Sequence, residues 1–316
     1  MADGHFKYTL DDMKTRIVPG QRAYVLQLNL KRGSERRRPE QINTLTLPFD
    51  PSKFNFTKVR PGEVLCEMCP VDSLGSDHCQ NEKGCGRHLL LINVSPCEFG
   101  HVLLVPEVDG ELPQVLTLKA IHLALEMQLL STHPGFHVAF NSLCALASVN
   151  HLHLHAWYLE YPLHTDNTPV QEVVSGCYET TDHPCRALVF QLHNSTLELL
   201  ARNVYLVTSY MQNADIAHNV LVSRGEVIGE NSGITMTTVR VYIWPRTSVT
   251  GVKTVTRDTV FNVAAFEYAG HIPMFASDLF ETLTEEEIEK KVNMFSLSTE
   301  EFSAVKANVV KILSPH

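Results

Sequence analysis

The sequence has little cysteine, no long apolar run and no excess of positive charge. Eight cysteines in 316 residues are too few for a disulfide scaffold of this size. No window approaches the roughly 18 consecutive apolar residues that a membrane-spanning helix needs. The formal net charge of −9 argues against general nucleic-acid binding, because neutralising phosphates favours a basic protein. These absences argue against three classes of protein: disulfide-stapled secreted, membrane-spanning and general nucleic-acid-binding.

What is present indicates a protein with a substantial core. Hydrophobic residues make up 44% of the chain and charged residues 19%, a balance that can bury a large apolar interior. The N-terminal stretch MADGHFKYTLDDMK lacks the apolar core of a secretion signal, so we expect a cytoplasmic protein with reduced thiols. Residues 31–40, KRGSERRRPE, are charged and have no periodicity. We expect an exposed loop there, rather than a nuclear-import or polyanion-binding patch.

Hydrophobic periodicity predicts the first half of the fold. The runs HLLLINV and HVLLVPE flank a Pro- and Gly-containing turn and predict a β-hairpin. LKAIHLALEMQLL has apolar residues at helical spacing and ends before a His-Pro-Gly breaker. FHVAFN and HLHLHAWYLEYPL then predict two paired strands around the loop NSLCALASVN. The expected order is strand, strand, helix, strand, loop, strand.

A second β-rich half follows a polar linker near residue 165. Its expected strands are RALVFQL, HNVLVSRG, TTVRVYIWPR and FNVAAFEYAGH. Two helix starts of the Ser/Thr-x-x-Glu kind occur in the tail, Thr284 with Glu287 and Ser298 with Glu301. We therefore predict an α+β fold in three parts: an N-terminal segment with the charged loop (1–53), a catalytic half (54–165) and a second half with C-terminal helices (166–316).

Residues 150–157, NHLHLHAW, place three histidines at alternate positions. Alternate residues of a strand point to one face, so the three imidazoles would lie side by side. Such a row has three interpretations: a metal site, nucleophilic catalysis at phosphorus, or a polar solvent-facing strand. Polar donors precede the row, and small residues at 145 and 147 let backbone amides approach an anion. This context favours nucleophilic catalysis.

Two longer stretches carry a family resemblance. HLLLINVSPCEFGHVLLVPE and GFHVAFNSLCALASVNHLHLHAWYL resemble the histidine triad superfamily, whose mark is three histidines alternating with apolar residues. More closely, FNFTKVRPGEVL, ASVNHLHLHAWYL, IAHNVLVSRG and FNVAAFEYAGHIP resemble the GDP-D-glucose phosphorylases, relatives of the plant GDP-L-galactose phosphorylases. The resemblance runs from about Phe54 to near Ile312. It implies an antiparallel sheet with helices, built as two halves of the histidine triad type.

The resemblance also implies roles for individual residues. His153, the middle histidine, would be the nucleophile, and His151 and His155 would orient it and stabilise charge on phosphate oxygens. Ser148 matches the position that contacts the α-phosphate in the related hexose-1-phosphate uridylyltransferases. Asn93 stands where many triad proteins carry the aspartate that binds ribose hydroxyls.

Three further residues are candidates for binding the nucleotide. Asn141 and Asn150 flank the loop before the histidines. Arg224 could form a forked pair of hydrogen bonds with a phosphate, although a salt bridge within a loop is an equally good interpretation. His101 begins a strand after a Gly turn, and we expect it to be structural.

The implied reaction is guanylyl transfer from GDP-D-glucose to inorganic phosphate through a GMP-histidine, with no metal or cofactor. One alternative is a phosphorylase or hydrolase acting on another GDP-hexose or nucleotide. Two others are a metal-dependent three-histidine enzyme and a nucleotide-sensing protein whose catalytic site is inactive. Cys66 and Cys69 form a CxxC near His78, Cys79 and Cys85, but a second CxxC is absent. Structural zinc is therefore the weaker interpretation of this cluster.

Overall fold

A single ten-stranded antiparallel sheet crosses the protein and contains strands from both halves of the chain. The computed structural model describes residues 4–37, 39–68, 86–229, 237–252 and 260–314. The first half contributes β4 (Val64–Met68), β5 (His88–Ile92), β6 (Val102–Val105), helix α2 (Leu118–Leu130), β7 (Phe136–Asn141) and β8 (Leu154–Tyr158). The second half contributes β9 (Val170–Val174), β10 (Cys177–Thr180), β11 (Leu188–Gln191), α3 (Leu197–Asn213), β12 (Ala217–Glu226) and β13 (Thr237–Arg246).

The two halves have the same connectivity. The strand order is β4-β5-β6-β8-β7 in the first half, followed by β12-β13-β11-β10-β9 in the second, which is the same order reversed. Each half places its helix between its third and fourth strands, and β7 pairs antiparallel with β12 where the halves meet. The predicted α+β fold with two similar halves is confirmed. Helices α2 and α3 pack on one face of the sheet, over its largest apolar core.

The N-terminal and C-terminal segments pack together on the opposite face. The elements of these segments are β1 (Lys14–Ile17), β2 (Val25–Leu28), α1 (Leu30–Glu35), β3 (Gln41–Ile42), β14 (Gly251–Val252), α4 (Ala265–Ala269), β15 (His271–Met274) and α5 (Glu285–Asn293). The last helix, α6 (Thr299–Leu313), instead lies against α3 on the first face. β2 pairs with β1 on one side and in parallel with β15 on the other. Residues from the beginning and end of the chain therefore cover the face that carries the histidines, while the predicted three-part division stays a prediction.

Local sequence signals account for most element boundaries. The predicted hairpin forms as β5 and β6, and the predicted helix begins at Leu118 with Thr117 as its N-cap. Both predicted capping boxes are present, at the start of α5 and of α6. The prediction of a strand throughout FNVAAFEYAGH is wrong, because Glu267 accepts a hydrogen bond from the Ala264 N–H and starts α4.

Two other predictions have different outcomes. Residues 31–40 are not simply an exposed loop, because Leu30–Glu35 forms α1, capped by Asn29. Of the CxxC cluster, only Cys66 lies in the described part of the chain, exposed on β4; Cys69, His78, Cys79 and Cys85 lie outside it. None of the helices in the described ranges is long and apolar enough to cross a membrane.

Candidate active site

A cleft of about 1070 Å³ opens on the covered face of the sheet, and five of the predicted site residues line it. These five are Asn93, Asn141, Ser148, His153 and His155. One wall is formed by the Phe56 region and β5, and the other by residues around α4 and β15.

His153 is held in one tautomer by the backbone. Its Nδ1 lies 2.7 Å from the carbonyl oxygen of His151, and since a carbonyl only accepts, Nδ1 carries the proton. The lone pair of the neutral ring is then on Nε2. The ring is 3% exposed, and burial lowers the pKa of His153 to about 4. At neutral pH this side chain is an uncharged imidazole in the cleft wall.

His151 does not line the cleft. Its ring is fully buried, its Nδ1 accepts the Phe56 N–H at 3.0 Å, and Phe49 and Phe56 pack against it. Burial lowers the pKa of His151 to about 4. His151 contacts His153 through its backbone carbonyl, and its expected role in stabilising phosphate charge stays a prediction. The expectation of three histidines on one strand also fails, because β8 begins only at Leu154.

His155 is oriented by a second histidine that we expected to be structural. The Cys97 N–H donates to Nδ1 of His101 at 3.0 Å, so the neutral His101 ring carries its proton on Nε2. That nitrogen lies 3.0 Å from Nδ1 of His155, which accepts, leaving the His155 Nε2–H as a donor. Burial holds the pKa of His101 well below its usual range. The only signal in the sequence was the Gly-His start of β6, which is not specific.

Asn141 is positioned by the second half of the chain. Its Oδ1 accepts hydrogen bonds from the Asn219 side chain at 2.6 Å and from the Ala265 N–H at 3.1 Å. These two donors fix the amide so that its NH₂ group is the part available to a ligand. Arg246, buried at the end of β13, donates to the side-chain Oδ1 of Asn219 at 3.4 Å. Asn141 thus presents a preorganised donor beside His153.

The loop between β7 and β8 has an unusual backbone. Cys144 and Leu146 have φ angles of 57° and 74°, in the left-handed region that non-glycine residues rarely adopt. The Ala145 and Ala147 N–H groups both donate to the Ser142 carbonyl, and the Asn219 side chain holds the Ala145 carbonyl. These contacts fold the loop back so that Leu146 and Ser148 line the cleft.

Two predicted nucleotide-binding residues lie elsewhere. Asn150 accepts the Gln114 N–H and donates to the carbonyl groups of Leu47 and Pro48, so its amide is fully used by the backbone. Arg224 donates to the carbonyl groups of Gln128 and Ser131 at the C-terminal end of α2. Neither residue lines the cleft. We therefore assign Asn150 to loop anchoring and Arg224 to helix capping.

The structure adds a group of cations that the sequence analysis assigned to a solvated loop. Arg32, Arg36 and Arg37, in and just after α1, line the cleft. Arg32 donates to the Ser95 carbonyl, and its Nε is buried with no partner among the described residues. A protein of net charge −9 thus concentrates positive charge in its cleft, which suits an anionic ligand.

Two carboxylates, Glu63 and Glu267, also line the cleft, and Glu63 is paired with Arg60 at 2.8 Å. Among the described residues, no group of three His, Cys, Asp or Glu side chains is placed to hold a metal ion. Asn93, the expected ribose contact, uses its Oδ1 to accept the Ser95 N–H at 3.0 Å. Its NH₂ group lies 3.2 Å from His101 Nε2, a contact that is not a hydrogen bond because that nitrogen carries a proton and donates to His155.

Comparison with known proteins covers the whole chain. A family model described as GDPGP1-like, N-terminal domain, matches residues 1–157, and one described as GDPGP1-like, C-terminal domain, matches residues 163–316. GDP-D-glucose phosphorylase 1 of Danio rerio is 39% identical over 98% of this chain and 87% of that protein. The Homo sapiens protein of the same name is 40% identical over 98% of this chain and 80% of that protein.

A plant protein is similar in sequence, and a yeast protein is similar in structure. GDP-L-galactose phosphorylase 1 of Arabidopsis thaliana is 31% identical, covering 96% of this chain and 69% of that protein. The crystal structure of yeast Ap4A phosphorylase Apa2 in complex with Ap4A superposes with a TM-score of 0.63, over 94% of this chain and 92% of that one. At 17% identity, the Apa2 match shows a common fold.

Proposed function

Since this chain belongs to the GDPGP1-like family, we propose that it is a GDP-D-glucose phosphorylase that transfers the guanylyl group of GDP-glucose to inorganic phosphate through a covalent GMP-histidine. The family relationship supports the nucleotidyltransferase class and the GDP-hexose substrate. The observation that carries the mechanism is the contact between His153 Nδ1 and the His151 carbonyl, which places the lone pair of a neutral imidazole on Nε2.

The first step is attack by His153 Nε2 on the α-phosphorus of GDP-glucose. A bond forms between Nε2 and phosphorus, and the bond from the α-phosphorus to the bridging oxygen breaks. Glucose 1-phosphate leaves with the electron pair of that bond. Because a sugar phosphate is a stable anion, the step needs little help from a general acid.

In the second step an oxygen of inorganic phosphate attacks the same phosphorus. The bond between phosphorus and Nε2 breaks, GDP is released and the neutral imidazole is restored. Between the steps the cleft holds GMP on His153, and phosphate enters the space vacated by glucose 1-phosphate. This order predicts ping-pong kinetics.

The cleft supplies donors for the charge that develops on the phosphate oxygens. We assign this role to Ser148, the Asn141 amide and the Nε2–H of His155, each of which lies in the cleft wall. In enzymes of acyl transfer, one such donor lowers the activation barrier by about 3 to 4 kcal/mol, and we expect a similar effect here. Arg32, Arg36 and Arg37 are placed to bind the negative charge of the leaving and entering phosphates.

The intracellular location is also a proposal. The described cysteines are free thiols, of which Cys97, Cys144, Cys177 and Cys185 are buried and Cys66 is exposed, as is typical of a reducing compartment. A cytoplasmic enzyme would also have phosphate available as its second substrate.

The mechanism is tested by the mass of the intact protein after mixing with GDP-glucose in the absence of phosphate. We expect the mass to rise by one GMP on the parent protein and to stay unchanged in His153→Gln. Adding phosphate should restore the original mass and release GDP. Turnover without any adduct on the parent protein would contradict the covalent mechanism. Release of GMP without phosphate would instead show hydrolysis, and the same assay with GDP-L-galactose measures hexose preference.

A further inference from the structure

Strands β7 and β8 stop pairing immediately before the nucleophile. Their ladder ends with Ala139 opposite His155. Continuing this register by two residues would place Asn141 opposite His153. Instead, the two residues are not paired with each other, and both line the cleft. The sheet therefore opens at the position where the proposed reaction takes place.

The side chain of Gln114 fills the gap between the two strands. Its Oε1 accepts the His153 N–H at 2.9 Å, and its Nε2 donates to the carbonyl groups of His153 at 3.1 Å and Asn141 at 3.0 Å. Gln114 is 1% exposed. One buried amide thus satisfies three backbone groups that would otherwise lack partners in the opened ladder.

The backbone of Gln114 is itself anchored. Its N–H donates to Oδ1 of Asn150 at 3.0 Å, and the Asn150 NH₂ group donates to the carbonyl groups of Leu47 at 3.1 Å and Pro48 at 2.9 Å. A buried polar network in which these groups are satisfied is rigid, because each lost hydrogen bond leaves a buried group without a partner. Gln114 is therefore a fixed wedge rather than a mobile side chain.

We propose that Gln114 is a positioning residue for the nucleophile: it holds β7 and β8 apart and fixes the backbone of His153 relative to Asn141. This role rests on the proposed function. Gln114 does not line the cleft, so it acts through His153 and Asn141. Positioning of this kind matters because a displacement of about 1 Å from the reactive geometry can lower a rate about 100-fold.

The second half of the chain gives an internal comparison. Gln114 lies three residues before Thr117, the N-cap of α2, and His193 lies three residues before Thr196, the N-cap of α3. His193 instead donates its backbone N–H to the Thr238 hydroxyl. Strands β12 and β13 stay paired over ten residues, to Glu226 opposite Thr237. The wedge and the open ladder therefore occur together, in the half that carries the histidines.

The test compares Gln114→Met with Gln128→Met. Gln128 is a fitting control because it is also fully buried, and its Nε2 donates to the Phe136 carbonyl at 3.0 Å, at the opposite end of β7. Both variants lose buried hydrogen bonds to the same strand, so thermal unfolding shows whether each still folds. Rapid-quench kinetics with GDP-glucose then gives the rate of GMP-adduct formation and the KM.

We expect Gln114→Met to slow adduct formation about 100-fold, with a KM within about threefold of the parent, and Gln128→Met to slow it less than about threefold. Equal rates in folded Gln114→Met and the parent would overturn the proposal. So would equal losses in the two variants, because that result would show a general effect of destabilising β7.

A second readout does not depend on the substrate. Diethyl pyrocarbonate modifies accessible imidazoles, and peptide mass spectrometry follows the modification of His153 alone. Loss of the hydrogen bonds from Gln114 should raise this rate about tenfold or more, since the segment that carries His153 would then open locally more often. An unchanged rate would overturn the positioning role, whereas absence of a GMP adduct on the parent would overturn only the proposed function.

Discussion

The two halves share one connectivity and differ in how far their last two strands pair. In the first half, β7 and β8 pair from Phe136 opposite Tyr158 only to Ala139 opposite His155. In the second half, β12 and β13 pair without interruption from Ala217 opposite Arg246 to Glu226 opposite Thr237. The open ladder exposes backbone and side chains to a cleft, and the closed one does not. The two halves have the same topology, but the cleft lies only where the β7–β8 ladder of the first half is held open.

The second half supports the site instead of duplicating it. Asn219 and Arg246, at one end of its long ladder, fix the Asn141 amide and the loop that contains Ala145. Helix α4 begins beside the same amide, through the Ala265 N–H. A continuous ladder can carry these residues rigidly because its own backbone groups are satisfied. Residues of the second half therefore hold in place a side chain and a loop of the first half that lie at the cleft.

The largest predicted difference in kcat is between variants of two histidines that make the same local hydrogen bond. His153 donates from Nδ1 to the carbonyl two residues before it, and His218 in β12 does the same at 3.0 Å. Burial lowers the pKa of both to about 4, but only His153 lines the cleft. We expect His153→Gln to lower kcat by about 10⁴-fold or more and His218→Gln by less than about threefold. Steady-state GDP release measures both, and similar losses would contradict the comparison.

The next difference concerns two arginines that both contact backbone carbonyl groups. Arg32 lines the cleft, whereas Arg224 caps α2. Arg32→Gln should lower kcat/KM about 100- to 1000-fold, because a charged donor to the phosphates is lost. Arg224→Gln should leave kcat/KM nearly unchanged and lower the free energy of unfolding by about 1 kcal/mol. A large loss of kcat/KM in Arg224→Gln with little loss in Arg32→Gln would show that Arg224, and not Arg32, binds the nucleotide.

A smaller loss of kcat is expected when His155 loses its hydrogen bond from His101. In His101→Leu, Nδ1 of His155 loses the donor that fixes its tautomer. We expect kcat to fall about 10-fold with little change in KM, since residues that orient a reactive side chain typically contribute 10- to 100-fold. The apolar replacement keeps the packing against Phe266. A change in KM alone would show that His101 affects binding rather than charge stabilisation.

The smallest effect is on stability as a function of pH. In the unfolded chain His218 has a pKa near 6.5, but burial lowers it to about 4 in the folded protein. As the pH falls below 6.5, the unfolded state takes up a proton that the folded state does not, so stability is lost. Between pH 7.5 and 5.5 the parent should lose about 1.4 kcal/mol more than His218→Gln. Urea unfolding at the two pH values measures this, and equal losses would contradict the buried neutral state.

The sequence predicted most of the helices and strands of the first half. Periodicity located β5, β6, α2 and β7, because each of these elements buries one regular apolar face or run. The family resemblance supplied the role of His153, and the histidine spacing alone left metal binding and catalysis equally open. The nucleophilic role of His153 stays a prediction until the adduct is measured.

What the sequence did not predict depends on contacts between distant segments. The sequence predicted a solvated loop at Arg32, Arg36 and Arg37. Nothing in their local pattern shows that β2 pairs with β15 and so places α1 beside the cleft. Gln114 has no motif, since its role comes from a gap between two strands. The family resemblance placed His151 in the site, and residue type placed Arg224 there; in the structure both contact backbone groups and neither lines the cleft.

The central claim, a covalent histidine intermediate, is tested most directly by the stereochemical course at the α-phosphorus. The substrate would be one diastereomer of GDP-glucose with sulfur in place of a non-bridging α-oxygen, and the product is the corresponding thio-GDP. Two successive in-line displacements, first by His153 and then by phosphate, predict overall retention of configuration. Inversion would show one direct displacement by phosphate and would contradict the account.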